Sequence, residues 1–162
     1  MGIVMNKKTY PYAELFCQSN FSFLTGASHA EELVIQADFL RYSALAITDE
    51  CSVAGVVRAF RTIREKRLKI KLSVGSMFWL NSECQIVLLS PTREAYAELC
   101  RVITNARRRA EKGKYNLSEW DIMSLKHCYI LWLPRQKHCD QYWGDWLAKH
   151  HQERMWLGLQ RH

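Results

Sequence analysis

Apolar residues in this chain fall into short runs parted by polar turns, and the runs alternate between two spacings. YAELFC (12–17) has the compact pattern of a strand. Ser28, His29, Ala30 and Glu31 then form a capping-box pattern, in which Ser28 accepts from a backbone N–H three residues on and Glu31 reaches back. This predicts a helix from His29, with Leu33, Val34, Ala37 and Leu40 along one apolar face. ALAIT (44–48) is an apolar run of the kind covered on both faces. Asp49 or Ser52 is placed to cap a second helix, from about Val53 to Lys66. Val56, Ala59, Phe60 and Ile63 line one side of that helix, and Arg58, Arg61 and Arg64 lie on the other.

Leu68 to Leu80 has the pattern of extended chain broken at Gly75, and CQIVLLS (84–90) that of a buried strand. The turn at Asn81-Ser82 between them allows a hairpin or a crossover. Pro91 suits the first turn of a helix reaching about Arg109, with Ala95, Leu99, Val102 and Ile103 inward, ended by Lys112-Gly113-Lys114. A short helix within 116–124, a strand at CYILWLP (128–134), a Trp-rich helix over 140–152 and a last strand at MWLGLQ (155–160) complete the pattern. Alternating strands and helices define an α/β class, and the pattern supports a (β/α) barrel or an open doubly wound sheet equally. Residues 1–9 are expected to be a flexible segment preceding one domain over 10–162.

Composition agrees with a packed domain. The chain has 162 residues, 48% hydrophobic and 12% aromatic, which excludes a disordered or low-complexity class. No run approaches the roughly 18 apolar residues of a membrane span, and the N-terminus lacks a secretory signal, so a cytoplasmic protein without membrane contact is expected. The six cysteines lack any C-x-x-C pair and sit mostly in apolar runs, as reduced core thiols do. The net charge of +7 permits an anionic partner without locating one.

Three sets of residues invite chemistry. His127-Cys128, His138-Cys139 and His150-His151 offer metal donors, but none has the spacing of a zinc module. Arg107, Arg108, Arg109, Lys112 and Lys114 cluster at a predicted helix end, where the macrodipole favours cations. A solvated or domain-docking role is the first reading of that cluster, and phosphate or DNA contact the second. The six tryptophans fall mainly in core patterns, Trp132 and Trp156 within strands and Trp143 and Trp146 on a helix. The five aspartates include no D-x-D pair, so no polymerase metal site is visible.

Three blocks in order, YAELFCQSNFSFLTGASHAEEL, ALAITDECSVAGVVRAF and KLSVGSMFWL, closely resemble the start of the PHP (polymerase and histidinol phosphatase) domain at the N-terminus of bacterial C-family DNA polymerases, nearest their error-prone, translesion branch. The resemblance implies a distorted (β/α) barrel of mostly parallel strands, of which this chain supplies a part, with the site at the strands' C-terminal ends. It also implies divalent metals in active members. The matching positions depart from that chemistry: Phe16 and Gln18 replace a His-x-His pair, Thr25 an acid, Glu50 a His, and Met77 a Glu. Of these, only Glu50 is a strong ligand.

The expectation is therefore a truncated, degenerate and non-catalytic module that holds no cofactor. Its partners would be the remainder of a C-family polymerase or that enzyme's accessory proteins in DNA-damage tolerance and repair. Two alternatives stand beside it: a stand-alone metal-dependent phosphoesterase, and an adaptor that binds DNA or a polymerase through basic patches.

Overall fold

A computed structural model describes residues 11–159; the expected flexible segment 1–9 lies outside them. The elements run β1 (Ala13–Cys17), α1 (Ala30–Phe39), β2 (Ala44–Ile47), α2 (Val56–Lys66), β3 (Lys71–Leu80), β4 (Cys84–Ser90), α3 (Arg93–Arg108), α4 (Glu119–Met123), β5 (Tyr129–Leu133), α5 (Asp140–His151) and β6 (Met155–Leu157). All six strands join one sheet in chain order. β1, β2 and β3 are parallel, β3 to β5 are joined by two antiparallel pairings, and β6 is parallel to β5. The sheet curls into half a barrel, so the α/β barrel reading holds. The mostly parallel order expected of it is interrupted at β4.

Side-chain alternation distributes the core on both faces of the sheet. Ile86 and Leu88 of β4 point to the helix side, where they meet Phe78, Leu99, Ile130 and Leu147. Val87 and Leu89 point the other way and join Ala46, Met77, Leu131 and Leu133 on the concave face. A third cluster, with Val34, Leu45, Ile47 and Ala59, seats α1 and α2 on β2. Each fully buried Leu, Ile or Phe here contributes about 1.5–3 kcal/mol of transfer free energy. Strands covered on both faces need continuous apolar runs, and CQIVLLS supplies one.

Several local details differ from the sequence-based expectations. Helix α1 begins at Ala30 instead of His29, and its cap is formed by the Glu32 carboxylate, which accepts from the His29 N–H at 2.8 Å. Helix α2 begins at Val56 after Gly55, so neither Asp49 nor Ser52 caps it. Phe60 is exposed, and Thr62 is buried in its place with Ala59. Helix α3 starts after Thr92, whose hydroxyl accepts from the Ala95 N–H, and Pro91 lies just outside.

Gly75 does not break β3. The strand pairs with β2 over 71–74 and with β4 over 74–80, so Gly75 lies at the changeover. There a Cβ would come within 2.7 Å of the Leu88 carbonyl oxygen. Asn81 and Ser82 both take positive φ, 50° and 59°, and close a β3–β4 hairpin, which resolves the hairpin-or-crossover alternative. Trp156, expected in the core, is 47% exposed on β6.

Candidate functional site at the C-terminal ends of the strands

The loops after β1 and β2 meet against the middle of β3, and Asp49 holds them together. Its carboxylate is fully buried and accepts from the Ser19 N–H (2.7 Å), the Ser19 hydroxyl (2.7 Å) and the Ser22 hydroxyl (2.8 Å). Ser22 Oγ in turn accepts from the Glu50 N–H, and the Ser76 hydroxyl donates to the Asp49 carbonyl. Small residues make the approach possible: a Cβ on Gly26 would lie 1.9 Å from the Ser19 carbonyl oxygen, and one on Gly55 would lie 2.9 Å from Asp49 Oδ2. Asp49 is thus a structural tie between loops, with its lone pairs directed at hydroxyl and amide donors.

The five positions at which the resemblance places ligands are only partly brought together. Phe16 is half-buried and packs with Met77 on the concave apolar face. Met77 itself is buried, and its backbone bridges Glu50, donating to Asp49 O and accepting from Cys51 N–H. The Gln18 side-chain amide nitrogen is buried without a protein partner. Thr25 sits on the exposed loop and donates to the Ser22 carbonyl. Glu50 is half-buried, and its Oε1 accepts from the Tyr115 hydroxyl at 2.8 Å.

Tyr115 also accepts from the Trp79 N–H at 2.9 Å, so it fastens the loop after α3 to the end of β3. Its burial, together with the Glu50 carboxylate, pushes the phenol well above its ordinary value. Among the described residues no group of three or more His, Cys, Asp or Glu side chains converges.

The basic segment is divided among different tasks. Arg107 donates to the carbonyls of Cys51 and Glu50 and lies over the Tyr115 ring. Arg109 pairs with Asp121, whose carboxyl is buried yet held below its ordinary value by Arg109 and Ser118. Lys114 pairs with Glu111, and Arg108 and Lys112 are exposed. Three of the five cations thus bind the chain to itself, and Lys114 is the member that also borders an open cleft beside Glu50. On α2, Arg58 meets Glu31 and the Phe21 ring, and Arg61 meets Glu65.

Burial governs the thiols as well. It pushes Cys17 and Cys51 up to about 11, and Cys84 and Cys128 up to about 12, so the uncharged form prevails near neutrality.

A half-barrel with helices on its outer face and a loop cluster at the strands' C-terminal ends defines an α/β domain of the PHP type. The PHP domain profile matches residues 14–160, and the chain belongs to that family. It is 71% identical over 151 residues to the error-prone DNA polymerase of Vibrio campbellii, covering 93% of this chain. It is 47% identical over 152 residues to the error-prone DNA polymerase of Pseudomonas aeruginosa. The chain spans about 15% of the first of these relatives and 14% of the second. Among solved structures, a Bifidobacterium adolescentis protein assigned as a metal-dependent phosphoesterase shares the fold with a TM-score of 0.53 at 12% identity, over 86% of this chain and 75% of that one. Among the described residues no helix is long and apolar enough to cross a membrane.

Proposed function

We propose that this chain is a non-catalytic PHP module that serves an error-prone DNA polymerase as a structural platform. The observation that carries the reading is the fate of the ligand positions. Phe16 and Met77 are absorbed into an apolar layer, Thr25 stands out on a loop, and the Glu50 carboxylate is engaged by Tyr115. One carboxylate, one amide and a thioether do not match the charged oxygen and nitrogen cage that hard or borderline divalent ions require. The residues present therefore do not fit a PHP metal cluster, and no hydrolytic step is assigned to them.

The identity to error-prone polymerases supports the remainder of such an enzyme as partner, acting in the cytoplasm in damage tolerance and repair synthesis. Metal analysis after equilibration with manganese, zinc or magnesium tests the module directly. The expected content is well below one ion per chain, with no nuclease or phosphoesterase turnover. Stoichiometric metal that is lost in Glu50→Ala, accompanied by turnover, favours the stand-alone phosphoesterase and overturns the reading.

A further inference from the structure

Helices α1 and α2 each return from one parallel strand to the start of the next, so they lie side by side and point the same way on the outer face of the sheet. They are tied together at both ends. Arg58 meets Glu31 near their beginnings, and at their ends the Asp38 carboxylate accepts from the Lys69 and Ile70 N–H groups at 2.8 and 3.1 Å.

The sides turned away from the sheet are apolar where a solvated helix would be polar. On α1, Ile35 and Phe39 stand one turn apart, and on α2, Val57 and Phe60 share a face with Arg61 and Arg64. Phe39 is 78% exposed, Val57 72% and Phe60 56%. Core packing does not account for them, because the two helices are seated on the sheet through Val34, Ala37 and Ala59. The charge at the end of this face has one sign. Arg41, Arg64, Lys66, Arg67 and Lys69 are exposed on the last turn of α2 and on the loops after the two helices, and among the described residues none lies within ion-pair distance of a carboxylate. Asp38, the acid between those loops, is taken up by backbone donors. The helix macrodipole favours cations at such ends, which explains the charges and leaves the exposed apolar side chains without a reason.

We propose that this face docks an acidic amphipathic helix of a separate partner protein, its apolar stripe laid along Phe39, Val57 and Phe60 and its carboxylates on Arg64, Lys69 and the cations beside them. Two parallel helices leave a shallow groove into which the side-chain ridges of a third can pack, and helical targets are held by anchors at that spacing. The unpaired cations select an acidic partner over a basic one. Aromatic side chains ringed by arginines suit an interface that forms and separates, whereas permanently covered surfaces are more apolar. The cationic end of the face lies toward the N-terminal ends of the strands, away from Asp49 and Glu50, and docking needs no metal. The inference therefore stands whether or not the scaffold reading does.

The test measures fluorescence anisotropy of a labelled synthetic peptide, about five helical turns long, with Leu and Phe on one helical face and Glu on the other, titrated with the full chain. A peptide of the same composition in scrambled order is the control for charge alone. The amphipathic peptide is expected to bind at least about tenfold more tightly than the scrambled one, and Phe39→Ala/Phe60→Ala to remove at least about tenfold of that affinity, as loss of central anchors does. Arg64→Gln/Lys69→Gln should weaken binding by at least about threefold, and Arg101→Gln/Arg108→Gln, the same loss of charge on α3, by less than about twofold. All the replaced side chains are exposed, so far-ultraviolet circular dichroism should match the parent. Equal affinity for the two peptides, or equal weakening by the α2 and α3 charge variants, reduces the binding to overall positive charge and overturns the site. So does the absence of binding. Unlabelled peptide should displace the probe far better than oligothymidylate or phosphatidylglycerol vesicles; equal displacement by either identifies a general polyanion surface and overturns the helical partner.

Discussion

Asp49 and Glu50 are adjacent and chemically alike, yet their surroundings give them separate tasks: Asp49 joins loops inside the protein, and Glu50 faces an open cleft beneath Tyr115. Their partners Ser19, Ser22 and Tyr115 are remote in sequence, so the residue types in T-D-E-C could not separate the two roles. The same limit hid Glu98, which looks like a solvated helix residue but is buried. Its two oxygens accept from the Lys126, His127 and Cys128 N–H groups at 2.9, 2.8 and 3.1 Å. Burial alone would raise its carboxyl, but the three donors hold it below the ordinary value. The folded form therefore releases the proton more readily than the unfolded form. The resulting stability is fully present above the ordinary carboxylate range and is lost as pH falls through the depressed folded value. Glu98→Gln should cost about 2 kcal/mol at neutral pH, since hydrogen bonds to a charged acceptor exceed those to a neutral one. Urea unfolding at pH 7 and again near pH 3 checks this, and the gap between the two proteins should narrow at the lower pH.

At the scale of elements, the apolar runs were legible because period and length are local properties. β4 falls on the residues expected of it, and α3 and α5 end within a residue or so of their expected bounds. Helix starts were less legible. His29 and Gly55 occupy cap positions that Ser28 and Ser52 suit better on propensity, because the loops before α1 and α2 are set by the Asp49 network and not by capping. Gly75 looked like an interruption for a related reason. A glycine within an apolar run marks either a break or a close approach, and only the partner strand decides which. Gly75→Ala tests the close approach: the added methyl would press on the Leu88 carbonyl and the Leu89 side chain. Forcing β3 and β4 apart there should cost about 1–3 kcal/mol, the range for an overpacked core, and should lower the urea midpoint without changing the m-value.

At the scale of the whole molecule, the half-barrel presents two edges, β1 and β6, that are unpaired among the described residues. Following the pairings across the sheet, β1 and β6 run in the same direction, and they flank one groove of about 820 Å³. Leu15 lines it from β1, Trp156 and Leu157 from β6, and Leu131 and Leu133 from the concave face. Sequence reasoning marked MWLGLQ as a strand but could not show that its side chains lack a cover, since cover comes from neighbours and not from pattern. An apolar edge with free backbone groups is a template for another strand, and the common direction of the two edges lets β6 of one copy lie parallel to β1 of another. Self-association that rises with protein concentration is the expected consequence. Lysine at an edge interrupts such pairing, because its ammonium cannot be buried between apolar strands without a partner. Leu15→Lys/Leu157→Lys should therefore move the weight-average mass from light scattering toward that of one chain. Far-ultraviolet circular dichroism should stay unchanged, because both side chains lie more than a third exposed in the single copy, at 39% and 53%. An unchanged mass in the double variant would place the association, if any, on another face, with the exposed Phe23 and Leu24 of the loop before α1 the next residues to replace.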